Sequence, residues 1–152
     1  MRKRTRSREF ALQILYQIDI AHENISNVLA DFWEDRSDRA LLGKETDAAE
    51  TDKKDADVKA YTEVLVRGTL RKLNRIDPVI ERFTENWEMK RMAYVDRNIL
   101  RLSAYEMMYL DEIPVKVAIN EAVELAKRYG EPDSSKFVNG ILDKIAKMEC
   151  KK

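Results

Sequence analysis

Few side chains in this chain have the type and spacing that catalysis or metal binding requires. The chain has one histidine, His22, and one cysteine, Cys150, and a zinc site of the usual kinds needs more of both. A di-iron helical bundle needs two Glu-x-x-His motifs, whereas only Asp19 precedes His22 at that spacing. The four glycines lie at least ten residues apart, which excludes a dinucleotide fingerprint and a P-loop. The sequence therefore predicts a binding protein with no catalytic residue, no metal and no cofactor.

The basic residues at the N-terminus are candidates for binding. Five of the first eight residues are cations, and this segment has too few apolar residues to fold alone. Guanidinium groups make bidentate contacts with phosphate, and arginine-rich segments commonly become ordered on RNA. A disordered, solubilising tail would have the same composition, so both interpretations stay open. The cations of this basic arm, residues 1–8, are Arg2, Lys3, Arg4, Arg6 and Arg8.

Length and composition limit the class of protein. A chain of 152 residues with 44% apolar residues is expected to form one domain with its own core. It has no apolar run of 18 residues and no apolar N-terminal segment, which disfavours membrane insertion and export. The single cysteine lies in the C-terminal tail and has no partner for an internal disulfide. These features predict a cytoplasmic protein.

The elements that must position these residues are helices. Only 7 of the 152 residues are Gly or Pro, which disfavours an all-β fold, and apolar residues recur at spacings of three and four. The sequence therefore predicts an all-α fold of about seven helices. The stretch 36–57 is poor in apolar residues and is predicted to be a long acidic connection. The predicted helices cover 9–22, 25–35, 58–73, 78–86, 92–110, 114–129 and the segment from 133 or 134 onward.

Glycine and proline positions refine these helices. Gly68 interrupts a helical pattern at a cost of about 1 kcal/mol relative to Ala, which predicts the close approach of a neighbouring helix. The pair Asp77-Pro78 has the residue types of an N-cap followed by proline at the first helical position. Gly130 is predicted to end the preceding helix.

Four stretches of the chain form a longer pattern. They are Pro114–Gly130 (PVKVAINEAVELAKRYG), Lys136–Lys144 (KFVNGILDK), Val95–Glu106 (VDRNILRLSAYE) and Arg8–Tyr16 (REFALQILY). Together they resemble the NusB family of bacterial transcription antitermination factors. The resemblance covers residues 1–30 and 58–148 and gives no role to the acidic stretch at 36–57.

The resemblance implies a single RNA-binding domain built from two small helical bundles packed together. It implies a non-catalytic adaptor that binds the boxA element of nascent single-stranded RNA together with NusE, which is also a small-subunit ribosomal protein. That complex helps RNA polymerase to pass terminators, notably on ribosomal RNA operons. Some relatives form homodimers that mask the RNA face, so a homodimer is a further expectation.

The resemblance also implies roles for individual residues. The arm cations correspond to the family's arginine-rich N-terminus, which meets RNA. Tyr16 corresponds to a tyrosine on the RNA side, although its spacing from Leu12 and Ile20 fits a core or rim aromatic equally well. Asp96 matches an acidic position that contacts NusE, and a surface ion pair with Arg97 or with a neighbour of Arg101 is the alternative.

The start of the last helix is the second predicted RNA site. Phe137 is expected to stack on an unpaired base while Lys136 and the helix dipole meet phosphate, although a buried Phe137 above Ile141 fits the spacing too. Asp133 is expected in the adjoining loop at the RNA edge, or as an ordinary N-cap. One RNA strand can touch both sites only if the basic arm and the start of the last helix lie side by side.

Two other functions remain open from the sequence. Domains similar to NusB also occur fused to ribosomal RNA cytosine methyltransferases, so an RNA-recognition module related to those enzymes is one alternative. The other is a purely protein-binding helical adaptor whose basic arm plays no part in binding.

Overall fold

Seven α-helices and no strand make up the part of the chain that the structure describes, which confirms the predicted all-α class. The computed structural model describes residues 3–42, 48–84 and 88–150, with all their side chains except those of 36–42 and 48–54. None of the helices in these ranges is long and apolar enough to cross a membrane. The helices are α1 Lys3–Ala21, α2 Ile25–Leu42, α3 Ala48–Arg71, α4 Leu73–Arg82, α5 Tyr94–Tyr109, α6 Val115–Tyr129 and α7 Ser134–Glu149, with a 3-10 helix at Met89–Arg91.

Helix α5 lies at the centre of the fold. It packs against α1 and α3 of an N-terminal group of helices, α1–α3, and against α4, α6 and α7 of a C-terminal group, α4–α7. Its residues Ile99, Leu100 and Leu102 are completely buried, and one continuous hydrophobic core takes residues from all seven helices. Because both groups share this core, the positions of α1, α6 and α7 relative to one another are fixed by packing.

Gly68 allows α3 to approach α5 closely, as the sequence predicts. A Cβ atom added at Gly68 would lie 2.1 Å from Cζ of Tyr105, well inside van der Waals contact. Tyr105 is itself buried and stacks on Tyr109 with ring centroids 5.7 Å apart. The glycine therefore makes room for an aromatic ring at the centre of the fold.

The interpretation of the basic arm as a disordered tail is wrong for residues 3–8, because α1 begins at Lys3. Ser7 is completely buried, and its hydroxyl donates a hydrogen bond to the carbonyl oxygen of Val58 at 2.9 Å. The hydroxyl of Thr5 donates to Glu121 of α6 at 2.8 Å. Contacts with α3 and α6 thus stabilise a helical start that composition alone does not predict. Arg2 lies outside the described residues.

The predicted acidic connection at 36–57 is shorter in the structure. Helix α2 continues to Leu42 and α3 begins at Ala48, so only residues 43–47 of that stretch lie outside the described ranges. At the start of α2, Asn24 Oδ1 accepts a hydrogen bond from the backbone nitrogen of Ser26 at 2.8 Å. Asn24 therefore caps the N-terminus of α2.

The start of α4 differs from its prediction, whereas the end of α6 agrees with it. Helix α4 begins at Leu73, so Pro78 lies inside it, and Asp77 accepts two hydrogen bonds from Arg101 of α5 instead of capping a helix. Gly130 does follow the last residue of α6, but its φ of −94° is open to any residue. A Cβ at Gly130 would lie 2.6 Å from the Cβ of Ser134, so the tight approach to α7 is what requires glycine there.

Candidate nucleic-acid interface

One face of α1 carries a row of side chains that begins within the predicted arm. This α1 stripe consists of Arg6, Glu9, Gln13 and Tyr16, whose spacings of three, four and three residues put them on the same side of the helix. Arg6, Gln13 and Tyr16 are exposed, whereas Glu9 is turned towards the end of α6. The stripe therefore aligns one predicted RNA-binding cation, Arg6, with the predicted RNA-binding aromatic, Tyr16.

Lys3 and Arg4 are exposed but meet α3 instead of the stripe. Lys3 Nζ lies 2.9 Å from Asp57 Oδ2, and the Arg4 guanidinium lies over the ring of Tyr61, 4.2 Å from its centroid. Arg4 and Arg6 are two residues apart, which places them roughly 200° apart around a helix of 3.6 residues per turn. The helical start of α1 thus separates cations that a flexible arm would present together.

Arg8 does not reach the surface, so the prediction that its guanidinium contacts RNA is wrong. Its Nε and Nη2 atoms each donate to the carboxylate of Glu106 at 2.8 Å, and the two side chains are 3% and 1% exposed. Tyr61 Oη donates to the same carboxylate at 2.5 Å. Burial would lower the pKa of Arg8, but the hydrogen bonds and charge of Glu106 outweigh burial and raise it. Arg8 therefore anchors α1 to α5.

The N-terminal end of α1 is strongly positive. Its first turn contains no acidic residue, and Lys3, Arg4 and Arg6 are exposed there. Unpaired backbone N–H groups give a helix N-terminus roughly half a positive charge, which disfavours cations and favours anions. These cations and the helix dipole therefore both attract a phosphate group.

Glu9 joins the α1 stripe to the end of α6. Its carboxylate accepts a hydrogen bond from the guanidinium of Arg128 through Oε1, and from the hydroxyl of Tyr129 through Oε2 at 3.0 Å. Burial, then the hydrogen bond and charge of Glu9, raises the pKa of Tyr129, so the hydroxyl keeps the proton that it donates. The carboxylate of Glu9 thereby holds two partly exposed side chains beside the stripe.

The start of α7 follows directly from these two residues. The loop Gly130–Asp133 connects Tyr129 to Ser134, whose Oγ accepts a hydrogen bond from the backbone nitrogen of Glu131 at 2.9 Å. Lys136 is exposed, and Phe137 is half-buried with part of its ring against the core. The position of Phe137 is therefore intermediate between the two that the sequence left open.

Asp133 occupies the N-cap position of α7 but makes no side-chain capping hydrogen bond. Its backbone oxygen accepts from the nitrogen of Phe137 at 3.2 Å, and its side chain is exposed. The capping interpretation of its carboxylate thus has no hydrogen bond to support it, and the role at an RNA edge stays a prediction.

The contacts of Glu9 bring the α1 stripe and the start of α7 to the same region of the molecule. Glu9 lies three residues after Arg6 on α1, and its partner Tyr129 lies five residues before Ser134, where α7 begins. The region holds exposed cations, exposed or half-exposed aromatic rings, and short polar side chains. Such a surface can bind phosphate through its cations and unpaired bases through its rings.

Asp96 lies in the first turn of α5 and is half-buried. The alternative of an ion pair with Arg97 does not occur, because the guanidinium of Arg97 donates to both carboxylate oxygens of Asp19 at 2.6 Å. Asp96 Oδ1 is buried and has no hydrogen-bond partner among the described residues. Nearby on α5, Tyr94 is exposed and its ring meets that of Tyr16 edge to face, with centroids 6.2 Å apart.

The sequence interpretation missed the residues that connect the predicted sites. Glu9, Arg128 and Tyr129 carry no motif of their own, although an acid directly after a basic arm and an aromatic directly before a helix-ending glycine are visible in the sequence. Glu106 was also missed, because a buried carboxylate looks like any other glutamate in a helix. Pairing across helices is what selects all four.

Comparison with known proteins gives one consistent result. The model of the NusB family matches residues 5–147. The transcription antitermination protein NusB of Anaeromyxobacter sp. (strain Fw109-5) is 48% identical over 95% of this chain and 90% of its own length. The protein of the same name from Bacillus licheniformis is 45% identical over 94% and 95%.

Solved structures agree with the sequence matches. NusB of T. maritima superposes with a TM-score of 0.80 and 34% identity, covering 99% of this chain and 94% of its own. A crystal structure of the antitermination factors NusB and NusE in complex with double-stranded RNA contains a chain with a TM-score of 0.77 and 29% identity, covering 97% and 98%. The fold and the sequence together show that this chain belongs to the NusB family.

Proposed function

We propose that this chain is an RNA-binding transcription antitermination factor that acts with NusE on boxA-type single-stranded RNA in the cytoplasm. Its relatives carry the name transcription antitermination protein, and a chain with its fold forms a complex with NusE and RNA. Membership of this family confirms the prediction that the chain is not an enzyme. The complex is expected to join transcribing RNA polymerase on ribosomal RNA operons.

The observation that carries this proposal is the contact of Glu9 with Arg128 and Tyr129. It links Glu9, which lies on the same side of α1 as Arg6 and Tyr16, to the end of α6, from which a short loop leads to Lys136 and Phe137 of α7. A single RNA strand can then follow one surface, with phosphates at the cations and bases at the rings. In this arrangement Lys3 and Arg4 add positive charge at the end of the stripe, and Asp133 accepts a hydrogen bond from a base.

Asp96 supports the expectation of a protein partner. The residue is only half-buried and makes no ion pair with Arg97, so its accessible part is open to a donor from NusE. We assign Asp96 to the NusE contact.

Filter binding to a short boxA-type RNA, with and without NusE, tests the proposed function. We expect binding that NusE strengthens, and its absence even with NusE would overturn the proposal. Charge reversal of Arg4 and Arg6 separates this function from a purely protein-binding adaptor. The adaptor alternative requires unchanged RNA affinity, whereas we expect a large loss. Arg8 is left out of that variant because its guanidinium is buried against Glu106, and reversal of its charge would destabilise the fold.

A further inference from the structure

We infer that Tyr129 stacks on an unpaired RNA base and that Arg128 binds a phosphate beside it, both held in place by Glu9. This inference rests on the proposed RNA-binding function and deepens it. It adds a third binding position between the two that the sequence predicts, namely the α1 stripe and the start of α7.

The position of Tyr129 is the first argument. It is the last residue of α6, and the loop that follows it leads to Asp133, Lys136 and Phe137. Through its hydroxyl it also contacts Glu9 of the α1 stripe. An RNA strand that runs from the stripe to the start of α7 must therefore pass beside this ring.

The way in which Tyr129 is held is the second argument. Tyr129 is an exposed aromatic residue, with 39% of its surface accessible to solvent. Single exposed aromatics are common on protein surfaces, so exposure alone would not select this residue. Here the hydroxyl is fixed by the carboxylate of Glu9 while the ring stays accessible. Stacking on a ring that is already fixed loses little side-chain entropy.

Arg128 completes the position with charge. Its guanidinium donates to Glu9 through Nη1 and keeps further N–H donors for another acceptor. Its side chain is 47% exposed, whereas that of Glu9 is only 10% exposed. An approaching RNA strand therefore meets the guanidinium of Arg128 and not the carboxylate of Glu9. A phosphate group can bind there because it is attracted to the cation and is kept away from the carboxylate.

Base stacking is tested with fluorescent RNA. The probe is 2-aminopurine, a base analogue whose fluorescence emission changes on stacking. It is placed in turn at each position of a short boxA-type RNA. Each labelled RNA is then titrated with the full chain in the presence of saturating NusE. We expect Tyr129→Leu to remove the emission change at one position and to weaken binding about tenfold. Tyr129→Phe keeps the ring, so we expect the change to remain and affinity to fall by no more than roughly threefold.

Controls separate stacking from an indirect effect. Phe137→Leu should remove the signal at a different position of the RNA, and urea unfolding of each variant verifies that it is folded. Equal weakening in Tyr129→Phe and Tyr129→Leu, with every emission change retained, would mean that only the contact with Glu9 matters and would overturn the inference.

Arg128 has a matched control in Arg82, an exposed arginine paired with Glu149 near the C-terminal end of α7. That end lies about 20 Å along the helix from Lys136 at 1.5 Å per residue. We expect Arg128→Ala to weaken RNA binding about fivefold or more and to lower the salt dependence by about one counterion, with no change for Arg82→Ala. Equal affinities for both variants would contradict the phosphate contact.

The outcomes also separate this inference from the proposed function. If the wild-type chain with NusE binds no RNA, the proposed function fails. If the wild-type chain binds and both Tyr129→Leu and Arg128→Ala bind as it does, the function stands and the third position is refuted.

Discussion

Arg8 of α1 and Glu106 of α5 form a bidentate ion pair in the interior of the protein. Both donor–acceptor distances are 2.8 Å, and Tyr61 of α3 donates to the same carboxylate. Glu121 of α6 lies 3.5 Å from the other guanidinium nitrogen, Nη1. Four helices thus meet at one arginine that lies within a basic N-terminal segment, so part of that segment is structural.

We expect Glu106→Gln to lower the free energy of unfolding by about 3 kcal/mol, because removal of one partner leaves a buried charge poorly compensated. Urea unfolding at neutral pH measures this change. Arg82→Ala, which breaks an exposed pair, should cost less than about 1 kcal/mol. A loss below about 1 kcal/mol for Glu106→Gln would contradict the anchoring role of Arg8.

Two glycines in helices should respond to alanine with opposite sign. Gly68→Ala puts a methyl group onto the buried ring of Tyr105, and we expect it to destabilise the protein by about 1–3 kcal/mol. Gly140 in α7 has nothing within 4 Å of an added Cβ, so Gly140→Ala should stabilise by about 1 kcal/mol through helix propensity. Thermal unfolding of both variants checks the prediction, and the same sign for both would refute it.

Asp19 should make the free energy of unfolding depend on pH. Burial alone would raise the pKa of Asp19, but hydrogen bonds from Arg97 and Asn98 and the charge of Arg101 outweigh burial and lower it below its ordinary 3.8. A carboxyl whose pKa is lower in the folded state stabilises the protein above the unfolded-state pKa. That contribution disappears as the pH falls through the folded-state value.

We therefore expect the difference in unfolding free energy between the wild type and Asp19→Asn to be largest at neutral pH. It should shrink as the pH falls below about 4. Urea unfolding between pH 7 and pH 3 measures both proteins. The exposed Asp143 provides the control, since Asp143→Asn should follow the wild-type curve. If the difference in unfolding free energy between the wild type and Asp19→Asn stays constant from pH 7 to pH 3, the charge of Asp19 contributes nothing to stability.

Arg6 should contribute to RNA binding far more than to stability. It is exposed on the α1 stripe, and loss of one phosphate contact weakens binding of all RNA sequences and lowers the salt slope by about one. We expect this for Arg6→Ala in RNA titrations at several salt concentrations. The unfolding free energy should fall by no more than about 1 kcal/mol, because the guanidinium lies 5.2 Å from the centroid of the Phe10 ring. Arg75→Ala removes an exposed cation of α4 and should leave the salt slope as it is.

The sequence by itself determined the helical class, the number of helices and the family resemblance. Apolar spacing of three and four residues along α5, α6 and α7 reports which side of each helix is buried, and burial is the dominant favourable term in folding. The same information predicts Gly68 as a point of close approach, because a mid-helix glycine is costly unless packing requires it. These features are local, so a single sequence contains them.

Only the tertiary structure decided what each basic residue does. Lys3, Arg4, Arg6 and Arg8 are equivalent by composition, but the helical start of α1 turns each one towards a different neighbour. Arg8 meets a buried carboxylate of α5, Lys3 and Arg4 meet α3, and Arg6 is exposed with its guanidinium 5.2 Å from the centroid of the Phe10 ring. The partners of Lys3 and Arg8 on other helices lie 54 and 98 residues away in the chain. No local pattern can report such pairings, because folding of the whole core is what brings the charges together.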